Sequence, residues 1–517
     1  MSSEVEKNEL YKTIWDTANK LRGSVDGWDF KQYFLGLMFY RYVSEDFVNY
    51  INDKELKQGK ENYNYLDRAK YKNNHGSRQI ESIKEEKGFY IHSHDLFENM
   101  LKSHERNCSH LNEALLEAFE RIEQNSEEEY QGLFKDIDVN SKRLEKTVEA
   151  RNQKIIEVMR NVKNLKIDLI DQQESDIFGD AYEYLMAMYA SNAGKSGGEY
   201  YTPTEVSELM VKLVLENKKD VKTIYDPACG SGSLLLKFVK VLKQENADLS
   251  NLEIYGQEIN NTTYNLCRMN ILLHGIHYKN FDIACADTLV NPCDRHNKKF
   301  DGIVSNPPYS VCWKGNDDPK LVKDPRFKDA GALAPKSKAD LAFVMHCLYH
   351  LEEKGAAAII TFPGVMYRGG AEQKIRKYLV DNNYVDCVIQ LAENFFYGTS
   401  ISTCIIVLKK SKKEKKTLFI NASEQFEKIK NKNRLTPENI NWILDIYRQR
   451  KNIDYISKLV DNSVIEQQDY GLSVSSYVEK EDKREKIEID VLNSEIERIV
   501  ENTNKLRRGI KEIIGDL

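Results

Sequence analysis

Residues 223–238 constrain the fold more than any other stretch of this 517-residue chain. Thr223-Ile224-Tyr225-Asp226 is a short apolar run that reads as a strand, and Leu234-Leu235-Leu236-Lys237-Phe238 reads as a helix. Between them, Pro227-Ala228-Cys229-Gly230-Ser231-Gly232-Ser233 carries two glycines, which let the backbone turn tightly and approach a ligand closely. A strand that turns at once into a helix is half of a βαβ unit. The pattern recurs, with strand-like runs at 252–258, 281–284, 300–305, 356–362, 385–391 and 403–408 and helical stretches between them. We therefore expect an α/β domain over 166–425, built on a mostly parallel sheet of seven strands.

Acids at the strand ends narrow the ligand. Asp226 closes the first run, where it would repel a diphosphate and hold an ammonium group. Glu258 closes the second, suited to bridging two ribose hydroxyls, and Asp287 follows the third, placed to accept from an adenine amino group. A ligand cationic at one end and an adenosine at the other fits this set beside Gly230, Ser231 and Gly232. S-adenosylmethionine is such a molecule, whereas a nicotinamide dinucleotide fits badly. The fourth run leads into Asn306-Pro307-Pro308-Tyr309. An amino nitrogen conjugated to a ring or carbonyl is a poor nucleophile, because its lone pair is delocalised. The Asn306 oxygen and the Pro307 carbonyl can each accept one of its N–H bonds and localise that pair. Pro307 and Pro308 stiffen the backbone that aims the acceptors, and Tyr309 offers a flat face for a planar substrate. Alone, the tetrapeptide is also compatible with an ordinary proline-rich turn.

Together these motifs resemble the amino-group class of S-adenosylmethionine-dependent DNA methyltransferases, most closely the modification subunit of type I restriction–modification systems. Gly197-Gly198-Glu199-Tyr200-Tyr201-Thr202-Pro203 is similar to that family's additional cofactor-binding segment, and its place before the glycine loop and Asn306 matches the family's motif order. Residues 178–185 resemble the helix leading into that segment, and 15–23 and 35–42 resemble the family's helical amino-terminal domain. The likeness spans about residues 8–425. It implies a Rossmann-like methyltransferase fold, with S-adenosylmethionine held by Gly198, Glu199, Tyr200, Tyr201, Thr202, Pro203, Asp226, Gly230, Ser231, Gly232, Glu258 and Asp287. It also implies catalytic roles for Asn306, Pro307, Pro308 and Tyr309. Phe396 stands where the family carries an aromatic wall of the base pocket, although a core role, or Phe395 in its place, fits as well. The implied reaction is methylation of N6 of an adenine flipped out of double-stranded DNA; Asn rather than Ser at position 306 favours adenine over cytosine by the family's pattern. Implied partners are a separate specificity subunit, two modification subunits to each, and a restriction/translocase subunit in the full complex. Two other readings compete: a protein glutamine N5-methyltransferase, which would use the same tetrapeptide, and a non-catalytic scaffold that clamps DNA. The former normally lacks so long a helical amino-terminal domain and the 199–203 segment. The latter has no chemical need for Asp226, Glu258 and Asn306 together.

Composition bounds the alternatives. The net charge of −6 is unlike a protein that grips DNA unaided, so address-reading is expected elsewhere. The basic run at 409–416 lies between two strand-like segments and is expected as a solvated hairpin tip or a DNA contact. Nine cysteines, an odd number without a Cys-x-x-Cys pair, argue against a disulfide framework and a zinc site. Ten histidines show no ligand spacing, so no metal is expected; His346 and His350 are expected to share a helix face. No apolar run is long enough to cross a bilayer and the polar start is no secretory signal, which predicts a cytoplasmic enzyme without membrane contact.

Residues 1–165 read as a helical domain, with a polar insert over 52–92 and a solvated acidic connector at 123–129. Residues 426–517 read as a helical region. Within it Ile489, Leu492, Ile496, Ile499, Thr503, Leu506, Ile510 and Ile513 form a heptad stripe, placing a partner-docking helix over 487–514. In the resembled family such a helix docks on the specificity subunit; packing on its own domain and homodimerisation are the alternatives.

Overall fold

The computed structural model describes residues 11–12, 14–19, 27–70, 76–165, 177–192, 202–216, 218, 220–396, 400–429, 432–479 and 489–515. The chain divides into two units, Met1–Val478 and Glu479–Leu517.

The first unit is organised by one sheet. Its strands are β1 (Thr223–Asp226), β2 (Glu253–Glu258), β3 (Phe281–Cys285), β4 (Phe300–Ser305), β5 (Leu351–Thr361), β6 (Val385–Leu391), β7 (Cys404–Lys409) and β8 (Lys416–Ala422). After a two-stranded ribbon of β9 (Glu427–Ile429) and β10 (Lys432–Arg434), β11 (Ser457–Asp461) joins the same sheet. The order is β11-β8-β6-β7-β5-β4-β1-β2-β3. The expected seven strands are therefore contiguous, and β8 and β11 extend them to nine. Of the seven, β7 alone runs antiparallel to its neighbours.

Strand residues alternate in direction, and the core divides accordingly. Ile224, Val304, Ala358 and Ile389 pack on one face with helices Thr204–Leu215 and Ser233–Gln244. Tyr225, Ile303, Ala357 and Val388 pack on the other with helices Asp340–His350 and Ala371–Asp381. Covering both faces is what lets these strands be apolar throughout rather than alternating.

The amino-terminal segment is helical as expected, with helices Gly27–Leu56, Phe97–His104, Leu111–Gln124 and Val148–Asn164. Tyr40, Phe97, Phe119 and Phe134 form its aromatic centre, where the Phe119 and Phe134 rings stack at 4.5 Å. Asn265 donates to Asp136 at 2.9 Å, tying this segment to the sheet's helical cover.

Several polar stretches are more ordered than their composition suggests. The 52–92 insert contains helix Ser77–Lys87 and buries Tyr65 and Tyr90, whose hydroxyls meet at 3.1 Å. The acidic connector buries Ser126 and pairs it with Phe89, and burial pushes the Glu129 carboxyl above its ordinary pKa. The basic run is not a hairpin tip, because β7 and β8 flank β6 rather than each other. Lys410 donates to Leu351 O at 2.6 Å and Lys412 to Val385 O, so both satisfy carbonyls at the amino ends of β5 and β6. Residues 437–478 are not purely helical either: helix Pro437–Gln449 is followed by the edge strand β11.

The second unit holds helix Ile489–Gly515, which buries none of its residues. The stripe side chains Ile489, Leu492, Ile496, Ile499, Leu506, Ile510 and Ile513 are all exposed. Among the described residues, no helix is long and apolar enough to cross a membrane.

Candidate active site

From β1 the chain moves outward through β2 and β3, then returns to β4 on the other side of β1. Ligands of open α/β sheets bind at the carboxyl ends of the strands where the order reverses in this way. Asp226 ends β1 and Ser305 ends β4, and the Ser305 hydroxyl donates to Asp226 Oδ1 at 2.8 Å. The Ala228 N–H donates to the same oxygen at 3.0 Å. Asp226 is 1% exposed, and burial pushes its carboxyl up to about 7 despite these donors.

The glycine loop turns as its sequence requires. Gly230 and Gly232 have φ of 53° and 78°, in the left-handed region. A Cβ on Gly232 would also lie 2.8 Å from Cys267 Sγ. The Gly230 N–H donates to Glu258 at 3.1 Å, and the Asn260 N–H donates to its other oxygen at 2.8 Å. Burial raises the Glu258 carboxyl above its ordinary value. Asp287 Oδ1 accepts from the N–H groups of Leu289 and Val290, at 3.0 and 3.1 Å, shaping the loop after β3.

These loops surround a cavity of about 720 Å³, lined among others by Gly230, Glu258, Asp287, Asn306, Pro308 and Trp313. Asp226 does not line it, but Pro227 and Ala228, the next two residues, do. Ile259, 67% exposed, adds apolar surface beside Glu258.

Asn306 is fixed from both ends. Its Nδ2 donates to Thr202 Oγ1 at 3.1 Å, and its Oδ1 accepts from the Tyr309 hydroxyl at 2.7 Å. A carboxamide oxygen has two lone pairs, so Oδ1 keeps capacity for one further donor. Burial pushes the Tyr309 hydroxyl well above its ordinary pKa, keeping it protonated as that donor. The turn after Tyr309 carries Ser310 at φ 51°, an unfavourable conformation for serine. Its N–H points at both carboxylate oxygens of buried Asp340, each at 3.2 Å. Phe396 is buried and meets Tyr309 edge to face, with ring centres 6.5 Å apart at 87°. The β9–β10 ribbon holds the 394–396 segment, since Lys432 donates to Phe396 O at 2.6 Å and the Asn433 N–H to Asn394 O at 3.1 Å.

Of the sequence-predicted set, Gly230, Glu258, Asp287, Asn306 and Pro308 meet at one cavity. Pro307 is buried in the same turn, and Ser231 lies in the glycine loop, its carbonyl accepting from Asn270. Gly198, Glu199, Tyr200 and Tyr201 lie outside the described residues. Thr202 and Pro203 are described, and Thr202 orients Asn306. Ser305, Ile259, Asp340 and Lys432 were missed. Only Ile259 and Ser305 had a local signal, each adjoining a predicted site residue. His346 and His350 do share a buried helix face, engaged by Tyr225 and by Lys298 O respectively.

Residues 173–486 match the family model for N-6 DNA methylase, and residues 10–162 match that for the HsdM N-terminal domain. The chain is similar to the type I restriction enzyme MpnII methylase subunit of Mycoplasma pneumoniae, at 45% identity over 99% of this chain and 97% of that protein. Its structure is similar to the crystal structure of the type I restriction–modification methyltransferase subunit from Streptococcus thermophilus, with a TM-score of 0.82 and 36% identity over 92% of this chain and all of that one. A chain from a structural study of type I complex assembly shares the fold, with a TM-score of 0.65 at 18% identity over 98% of this chain and 99% of that one.

Proposed function

The chain belongs to the N-6 DNA methylase family, as a methylase subunit of type I restriction–modification systems, and we propose that it methylates N6 of a flipped-out adenine in double-stranded DNA with S-adenosylmethionine as donor. The observation that carries this reading is the single cavity shared by Glu258, Asp287 and Asn306. Acids suited to the donor and an acceptor suited to an amino group thus face one space, as methyl transfer to such a nitrogen requires.

The residues fit this donor. Asp226 is a buried carboxylate with only neutral donors around it, and burial has raised its pKa to about 7. An α-ammonium beside it would restore its ionised form. Glu258 and Asp287 suit a ribose diol and an adenine amino group, and Ile259 offers apolar surface to the ring. When bound, S-adenosylmethionine supplies an electrophilic methyl whose departure leaves a neutral thioether, so no strong base is needed before attack. Extracting the target base from the duplex costs a few kcal/mol. Stacking on Tyr309 offsets about 1–3 kcal/mol of it. Phe396, perpendicular to Tyr309, supports that ring edge to face and offers no second parallel stacking face. Asn306 Oδ1 and the Pro307 carbonyl accept the two N6 hydrogens and localise the lone pair. Thr202 and Tyr309 hold the Asn306 amide in that orientation before substrate arrives, an arrangement that favours alignment, worth ~7–11 kcal/mol in good cases.

Recognition of the DNA sequence belongs in this reading to a specificity subunit, two methylase subunits to each, docked through helix Ile489–Gly515, with a restriction/translocase subunit completing the assembly. The exposed heptad stripe supports that docking role. The test is radiolabelled methyl transfer by the chain co-purified with its specificity subunit, followed by mass spectrometry of the digested DNA. Label in N6-methyladenine is expected; label in N4-methylcytosine or in protein glutamine would overturn the assignment.

A further inference from the structure

We propose that Arg326 is a positioning residue for donor binding, holding the loop that carries Asp287 in the shape that closes one side of the cavity. The proposal rests on reading that cavity as the donor site. Arg326 belongs to the segment after Tyr309, is 5% exposed, and does not line the cavity itself. Its Nη1 donates to Thr288 O at 2.6 Å and its Nη2 to Leu289 O at 2.9 Å. Both carbonyls lie in the turn 287–290, whose residues line the cavity. On its other edge the guanidinium meets Asp324, with Nε and Nη2 at 3.0 and 2.7 Å, which neutralises the buried charge. Thr288 and Leu289 are themselves buried, so without Arg326 two carbonyls would lack these partners in a place water hardly reaches. A lysine could serve one of them as a point charge, but not both together with Asp324.

The same side chain connects to the other cofactor loops. Arg326 Nη1 also lies 2.9 Å from His346 Nδ1, and because a guanidinium only donates, Nδ1 accepts. The imidazole proton therefore sits on Nε2, 2.8 Å from the Tyr225 hydroxyl oxygen. Burial lowers the His346 pKa, consistent with that neutral form. Gln257 donates its side-chain amide to the same Tyr225 oxygen and accepts the Cys293 N–H at 2.8 Å. Its backbone carbonyl accepts the Cys229 N–H at 2.9 Å. One buried network thus supports the glycine loop, the end of β2 and the Asp287 loop. Arg326 is its anchor in the segment that also supplies Trp313 and Lys314 to the cavity wall.

The experiment is calorimetric titration of the full chain with S-adenosylhomocysteine, paired with methyl-transfer kinetics of the assembled complex. Arg326→Lys should weaken binding by about tenfold or more, the scale of one lost charge-assisted hydrogen bond. The KM for the donor should rise in step, while kcat at saturating donor stays within about twofold. Binding within about twofold of wild type, or a fall in kcat at unchanged KM, would overturn the positioning role. Failure of the wild type to bind would instead sink the donor reading of the cavity. If Arg326→Lys does not fold, hydrogen exchange on the wild type decides: adding the ligand should slow exchange at 287–291 and 321–328 together, and protection of the first segment alone would overturn the proposal.

Discussion

In the proposed reading, Asp226 sets the pH at which the donor's ammonium is held. Its folded-state pKa of about 7 lies above the value of about 3.9 for an unfolded aspartate. The ligand-free protein thus binds this proton more tightly than the unfolded chain, and the group's contribution to stability falls as pH rises from about 4 through 7. Donor affinity is predicted to run the other way, because the proposed ammonium contact needs the ionised carboxylate. Donor affinity should fall by up to about tenfold per pH unit below 7; a flat or opposite profile in calorimetry between pH 6 and 8 would show that Asp226 does not meet the cation. Asn306→Ala should lower turnover by several orders of magnitude, roughly the weight of alignment in such sites, while leaving donor affinity within about threefold in the same titrations. Tyr309→Phe keeps the stacking face but loses the hydroxyl that orients Asn306. Its kcat should fall about tenfold, the scale of one hydrogen bond, and Tyr309→Ala should be far worse. Asp226, Glu258 and Asn306 were legible because each ends an apolar run. Asp340 and Arg326 were not, since they act across 30 and 38 residues of chain and no local pattern encodes such contacts; Thr202 was named from its motif, but its bond to Asn306 across 104 residues was not foreseen.

Among the elements, strands buried on both faces were the most legible, because an uninterrupted apolar run bounded by turn residues has few other uses. β1 and β4 fall where the sequence placed them. The edge was harder to read. β8 and β11 are bordered by polar residues, and no spacing in the sequence says that β8 pairs with β6 rather than β7. Nor did composition reveal that lysines of the basic run cap strand ends opposite the site. The glycine loop offers a direct check. Gly232→Ala must place a methyl against Cys267 at a positive φ. We expect a loss of about 1–3 kcal/mol by denaturant unfolding, with weakened donor binding. Unchanged stability would mean that the turn is less constrained than its geometry requires.

At the scale of the whole molecule, a chain of net charge −6 carries a candidate catalytic cavity and a helix whose apolar stripe is exposed. The two should be separable. Ending the chain at residue 485 should leave the melting temperature and donor affinity of the remainder essentially unchanged, while size-exclusion chromatography with the specificity subunit no longer yields a complex. Persistence of the complex would move the docking surface elsewhere. A crystal structure with S-adenosylhomocysteine bound decides whether the cavity is the donor site. The ligand's amino group should lie at Asp226, its ribose at Glu258, its adenine beside Asp287, and its sulfur should face Asn306. A ligand lodged outside the cavity between Glu258 and Asn306 would contradict that assignment.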